Sequence, residues 1–311
     1  MRKIEFFFKS HDGITMIRGM RYVPEGEIKA ILQISHGMLE YIDRYENFAK
    51  FLTDKGILVT GNDHLGHGES VTDKSNWGYF AKGDANKIVL DDLHTTTELT
   101  KKAYPDKPYF LLGHSMGSFF AREYVCEYGN ELNGAIVMGT GQQSRFALNC
   151  GIALIKGNMV FAGEKGNSSL IEYVAFGSYN KHIKPLRTHS DWLTRDEKVI
   201  DAYLKDPKCT YRFTLNGYLT MFKAMAKLTD EKFLDKAPKE LPVFLISGKE
   251  DPVGNYGKAV ETVFNKMKET GMRNVEMKLY ANDRHEILNE LDKDQVYDDI
   301  YDWINKQLTL R

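Results

Sequence analysis

The pentapeptide Gly113-His114-Ser115-Met116-Gly117 is the part of this chain best placed to do chemistry. It follows the apolar run Tyr109-Phe110-Leu111-Leu112 and leads into Ser118-Phe119-Phe120-Ala121-Arg122-Glu123-Tyr124, which reads as a helix. A Gly-x-Ser-x-Gly between a strand and a helix makes a sharp turn that lifts the serine Oγ off the sheet. Glycine on both sides lets strand and helix approach closely around a strained serine. A serine hydroxyl is a weak nucleophile at neutral pH, so it needs a base beside it and a carboxylate to orient that base.

In a strand-turn-helix arrangement of this kind the partners follow in the order nucleophile, acid, histidine. Asp251 lies in Ser247-Gly248-Lys249-Glu250-Asp251-Pro252-Val253-Gly254, just past the apolar run Val243-Phe244-Leu245-Ile246. It should therefore emerge at the carboxyl edge of the sheet, where ligands bind. Glu250 is its neighbouring rival. His285, in Asn282-Asp283-Arg284-His285-Glu286, is the only histidine downstream of Asp251. The predicted chemistry is acyl transfer. Ser115 attacks, and His285 takes its proton and returns it to the leaving alcohol. The resulting oxyanion needs preorganised donors. The backbone N–H of Met116 supplies one. The N–H of Met38, in His36-Gly37-Met38 after the run Ala30 to Ile34, supplies the other, with His36 structural. A metal site built from His36, His64, His67 and His114 is disfavoured, because His64-x-x-His67 lies in a glycine-rich loop with no regular element to fix both rings.

These residues require a sheet whose strand ends meet at one edge. Short apolar runs at Ala30-Ile34, Ile57-Thr60, Tyr109-Leu112, Ala135-Met138 and Val243-Ile246 alternate with amphipathic stretches, which predicts a mostly parallel sheet flanked by helices. Tyr45, Phe48, Ala49 and Leu52 form one helical stripe closed by Gly56, and Val260, Val263, Phe264 and Met267 another closed by Gly271. Val275, Met277 and Leu279 alternate with polar residues, as expected of a strand near the sheet edge. Val296, Ile300, Trp303, Ile304 and Leu308 predict a last helix. Residues around Ile4–Phe8 and Thr15–Tyr22 predict an antiparallel hairpin. The alternation breaks between about Gln142 and Pro238, where large apolar residues such as Phe146, Leu148, Leu154, Val160, Phe161, Met221, Phe222 and Met225 accompany helix signals. Thr194-Arg195-Asp196-Glu197 reads there as a capping box. The expected organisation is a core of residues 1–141 and 238–311 with a helical cap, 142–237, inserted after the sixth strand.

The 311 residues carry 42 Lys plus Arg against 43 Asp plus Glu, so no electrostatic footprint for nucleic acid is visible. Three separated cysteines, Cys126, Cys150 and Cys209, make no disulfide framework or metal pair, which fits a reducing compartment. The N-terminal stretch lacks the apolar core of a signal peptide, and no run of 18 apolar residues predicts a membrane span. A soluble cytoplasmic globular protein is expected.

Taken as a set, Gly113-His114-Ser115-Met116-Gly117, His36-Gly37-Met38-Leu39-Glu40 with Arg44-Tyr45, Asp63-His64-Leu65-Gly66-His67-Gly68-Glu69-Ser70, the Asp251 loop and Arg284-His285-Glu286 resemble the monoacylglycerol lipase and lysophospholipase branch of the α/β-hydrolases. The resemblance covers the core and is weak over the cap. It implies an α/β-hydrolase fold, a serine hydrolase of carboxylic esters, Ser115, Asp251 and His285 as triad, Met38 and Met116 as oxyanion donors, and no metal or cofactor. Tyr41 stands where these lipases often have His, which could alter the alcohol-side pocket. Ser118 stands where they usually have Gly, which could loosen helix–strand packing. The apolar cap suits an acyl chain, worth roughly 0.8 kcal/mol per buried CH₂, and allows transient membrane contact. A proline-iminopeptidase-type peptidase or a thioesterase would share the triad. The peptidase would need an acid in the cap, such as Glu164, Glu172 or Asp191, to hold a substrate amine. A binding receptor on the same scaffold is a third reading, though such proteins often lose a triad member.

Overall fold

The computed structural model describes residues 1–310. Eight strands, β1 (Arg2–Lys9), β2 (Met16–Val23), β3 (Ala30–Ser35), β4 (Ile57–Asn62), β5 (Tyr109–His114), β6 (Gly134–Met138), β7 (Val243–Gly248) and β8 (Val275–Tyr280), form one sheet in the order β1-β2-β4-β3-β5-β6-β7-β8. The predicted hairpin, β1 with β2, and the β2–β4 pair are antiparallel, and every other pair is parallel. The parallel strands therefore end at one edge. In β3 and β5, Ser35 pairs with Gly113, so the loop bearing Met38 and the turn bearing Ser115 leave the sheet side by side.

Alternation along the strands sorts side chains to two buried faces. On β5, Tyr109 and Leu111 enter one core, and Phe110 and Leu112 the other. The first core is closed by Val89 and Leu93 of α2 (Ala85–Ala103), Phe120 and Tyr124 of α3 (Met116–Tyr128), and Val260 and Val263 of α9 (Lys258–Glu269). The second is closed by Phe48 and Leu52 of α1 (Glu46–Asp54) and by Val296, Ile300 and Ile304 of α10 (Lys293–Thr309). Gly56 ends α1 at φ 88°, the left-handed turn that glycine adopts without strain. β8 lies at the sheet edge as its alternation predicts.

Between β6 and β7 the chain makes no strand. It forms α4 (Arg145–Ala162), α5 (Ser169–Phe176), α6 (Glu197–Lys205), α7 (Leu215–Lys227) and α8 (Glu231–Leu234), so a helical cap does follow the sixth strand. The predicted capping box is displaced. α6 begins at Glu197 and is capped by Asp196, whose side chain accepts from Lys198 N–H. The Thr194 hydroxyl accepts from Asp196 N–H at 3.1 Å, one residue ahead of the helix, and donates to the Asn289 carbonyl at 3.1 Å in the loop before α10. Among the described residues, no helix is long and apolar enough to cross a membrane.

Candidate active site

Ser115 sits at the turn from β5 into α3 with φ 52°, a left-handed conformation rare outside glycine. The surrounding contacts enforce this strained turn. A Cβ on Gly117 would fall on the Ser35 carbonyl oxygen, and one on Gly37 would lie 3.0 Å from Ser115 Cβ. Glycine at both positions lets the elbow press against the end of β3. Ser118 does not loosen the packing. It is buried, and its hydroxyl donates to the Ser115 carbonyl at 2.5 Å.

Asp251 and His285 come together. His285 Nδ1 lies 2.9 Å from Asp251 Oδ2, and both residues are almost fully buried. The same carboxylate accepts from Val253 N–H at 2.8 Å and from the Ser247 hydroxyl at 3.2 Å, which fixes its orientation. Glu250, the rival acid, is exposed. The His285 ring is held between Trp192 and His114, with centroids 4.9 and 4.8 Å away. Ser115 and His285 face one cavity of about 860 Å³. Among the described residues no hydrogen bond joins Ser115 Oγ to His285, and in hydrolytic sites that bond often tightens only around substrate.

Met38 lines the cavity beside Ser115. Its loop is fixed from behind by His36, which is neutral in the tautomer protonated on Nδ1. That N–H donates to the Gly37 carbonyl at 2.7 Å, and Nε2 accepts from His64 N–H at 2.9 Å. Burial keeps His36, His64 and His67 uncharged. His36 uses both ring nitrogens, on the Gly37 carbonyl and His64 N–H, His114 turns Nδ1 to Glu40, and His64 and His67 each bond through one nitrogen, to Ser35 and the Leu65 carbonyl.

Behind the site lies a buried polar network. Glu40 Oε1 accepts from Gly37 N–H, from His114 Nδ1 at 2.8 Å and from Tyr45 OH at 2.9 Å, while Arg44 Nη1 lies 3.3 Å from Oε2. Arg44 also grips Glu286, the neighbour of His285, with two bonds of 2.8 Å. Burial opposes the charge on Glu40, but His114 and Arg44 outweigh it and hold the carboxyl well below the usual range. Burial likewise opposes charge on His114, and Glu40 outweighs it, so the imidazole pKa is raised. Glu286 is depressed by Arg44 against the cost of burial. Glu40, Arg44 and Glu286 stand in the sequence without a chemical role that spacing assigns. Trp192 carries no signal there at all.

The cavity is largely apolar, with Phe119, Leu148, Leu154, Met221, Phe222 and Met225 on its walls. Phe146, Val160 and Phe161 point the other way, at 80, 80 and 92% exposure. Tyr41 does not line the cavity. Its hydroxyl donates to Asp206 at 2.6 Å, tying the loop after β3 to the cap. Of the three cap acids, Glu172 alone lines the cavity, and it is paired with Arg212 at 3.0 Å. Asp191 caps the N–H groups of Arg187 and Thr188, and Glu164 accepts from Tyr79 OH.

The family model described as serine aminopeptidase, S33, matches residues 26–292. The chain belongs to this family. It is 24% identical to the monoacylglycerol lipase of Mycolicibacterium smegmatis over 98% of each chain. It is 24% identical to the monoglyceride lipase of Rattus norvegicus, covering 92% of this chain and 86% of the relative. Among solved structures, a thermostable carboxyl esterase from Bacillus coagulans superposes with a TM-score of 0.91 at 30% identity, over 99% of both chains. The fold is that of the α/β-hydrolases.

Proposed function

We propose that Ser115, His285 and Asp251 form the triad of a lipase acting on monoacylglycerol-type esters, with the N–H groups of Met38 and Met116 as oxyanion donors. The chain is a serine hydrolase of carboxylic esters, as its lipase and esterase relatives indicate. In this reading Ser115 Oγ attacks the ester carbonyl while His285 Nε2 takes its proton, and Asp251 stabilises the imidazolium through Nδ1–H. The two N–H groups receive the oxyanion. Collapse expels the alcohol, which takes the proton back from Nε2, and water then clears the acyl-enzyme by the same steps. The observation that carries the reading is the buried 2.9 Å His285–Asp251 pair, opening with Ser115 onto an apolar cavity of about 860 Å³.

An ester is favoured over a peptide because the one cap acid at the cavity is already paired with Arg212. The same pairing occupies the cavity-lining cation that a lysophospholipid phosphate would seek, so an uncharged glyceride suits the site better. Residues 142–237 act as the cap over a core of 1–141 and 238–311. The outward Phe146, Val160 and Phe161 suit transient contact with a lipid surface. Free Cys126, Cys150 and Cys209 fit a cytoplasmic setting.

The test is hydrolysis of p-nitrophenyl esters from about two to sixteen carbons, the range over which acyl burial registers, alongside a monoacylglycerol and a lysophosphatidylcholine. Activity rising with chain length, turnover of the monoacylglycerol and loss of both in Ser115→Ala are expected. Activity greatest on acetate, or surviving in Ser115→Ala, refutes the proposal.

A further inference from the structure

We infer that Arg195, a cap residue outside the cavity, is a positioning residue for His285; the inference rests on His285 being the base of the proposed triad. Between β8 and α10 the loop carrying His285 has only the short 3₁₀ turn Ile287–Asn289. Its path is set by the cap. His285 N–H donates to the Trp192 carbonyl at 3.4 Å, and Glu286 N–H to the Leu193 carbonyl at 2.6 Å. Arg284 Nη1 donates to the carbonyls of Asp191 and Thr194, at 2.6 and 3.1 Å.

Arg195 closes this seam. Its backbone N–H reaches Glu290 Oε1 at 3.1 Å, and its Nε reaches Oε2 at 2.9 Å. Its Nη2 bonds Asp283 Oδ1 at 2.7 Å and Asp292 Oδ1 at 2.5 Å. The three carboxylates gather oxygens within 4.8 Å of one another, and Asp283 and Glu290 are fully buried. One guanidinium is therefore the cation that lets the two ends of the loop, 283 and 290–292, stay together around His285. Burial and the neighbouring carboxylates push Asp283 up to about 7; without the guanidinium the acids must take up a further proton or move apart, and either change disturbs the loop around His285. A base must meet its nucleophile closely, and a misplacement of about 1 Å can lower the rate by up to ~10²-fold. The planar fork of Arg spans all three acids, which the single ammonium of Lys does not.

The experiment compares wild type, Arg195→Gln, Arg195→Lys and His285→Ala as full-length chains on a short soluble p-nitrophenyl ester. In Arg195→Gln, kcat should fall about tenfold with KM held, because positioning and not substrate binding is lost. Covalent labelling of Ser115 by a fluorophosphonate should slow in parallel. Arg195→Lys should recover part of the loss. A folded Arg195→Gln with wild-type kcat, or a loss that appears only in KM or only in Tm, overturns the inference. If Arg195→Gln does not fold, Arg195→Lys decides: reduced kcat at unchanged KM supports the inference, and wild-type kcat overturns it. His285→Ala separates the two levels, since activity surviving there refutes the triad itself.

Discussion

Glu40→Gln removes one charge from the buried network behind the oxyanion loop while keeping the side chain's shape. The carboxylate faces four donors: Gly37 N–H, His114 Nδ1, Tyr45 OH and Arg44 Nη1. A carboxamide offers a single acceptor oxygen and brings its own N–H₂, so at least one contact becomes donor against donor. Hydrogen bonds to a charged group contribute about 1.5–3 kcal/mol, and a stranded buried donor costs about 1–3 kcal/mol. Removing one partner of a buried ion pair typically costs ~3–5 kcal/mol, so about 3 kcal/mol is expected here. At roughly 2 cal/mol/K of unfolding entropy per residue, 1 kcal/mol is worth about 1.5 °C in a chain of 311 residues, and Tm should drop by about 5 °C. Turnover should fall too. Gly37 N–H is pinned by Glu40 next to Met38, and displacing an oxyanion donor costs less than the ~10²–10³-fold of deleting one; about tenfold in kcat is expected. Scanning fluorimetry and kcat on a short ester, with circular dichroism to confirm folding, measure both. A Tm within about 1 °C of wild type together with unchanged kcat would refute the reasoning.

Asp251→Asn should lower kcat by about 10⁴ with little change in KM, because the amide favours the wrong His285 tautomer; retained turnover in steady-state assays counts against Asp251. Glu40 and Glu286 both titrate below their ordinary value of 4.5 in the folded chain. Their stabilisation is therefore complete above that pH and is lost as pH falls through the folded values. Tm should decline progressively below pH 4.5, less steeply in Glu40→Gln, and a profile parallel to wild type would contradict this. Phe146→Glu with Phe161→Glu should reduce turnover of vesicle-borne monoacylglycerol by roughly tenfold or more, from lost burial of two aromatic rings. Kinetics on a soluble short ester should stay unchanged, and equal losses on both substrates would count against lipid contact.

The core of the fold is legible because buried parallel strands are continuous apolar runs, and Ala30, Ile57, Tyr109, Ala135 and Val243 open or adjoin strands much as their neighbours predict. The elbow and the Asp251 loop follow, since each lies just past such a run, and the His285 loop follows the alternating strand β8. α2 is harder to read. Its buried face includes Asn86, Asp92, Thr96, Thr97 and Thr100, which blur any apolar period. Their value appears only in three dimensions, where Thr97 and Tyr109 donate to Gln33 of β3 and Thr96 to Asn62 of β4. The supports of His285 are hidden for a related reason. Trp192 meets its ring and Arg195 the acids of its loop across the cap insertion, and no local spacing encodes a contact between segments so far apart. Thr194 shows the cost of local reading. Its type and position fit a helix cap, yet its hydroxyl reaches only Asp196 N–H, which precedes the helix, and donates to the Asn289 carbonyl across the cap.

The insertion of the cap between β6 and β7 also sets an order of events on the ribosome. Ser115 and its oxyanion loop emerge first, then the whole cap, and only afterwards the strands that bring Asp251 and His285. Until β7 arrives, the nascent chain presents an unpaired β6 edge together with the greasy surface of α4, features that favour association with other chains. Chaperone demand should therefore peak while the cap is being made. On the proposed triad, a chain released before β7 and β8 carries the nucleophile without its base, so such incomplete copies should cleave esters far more slowly than the folded chain.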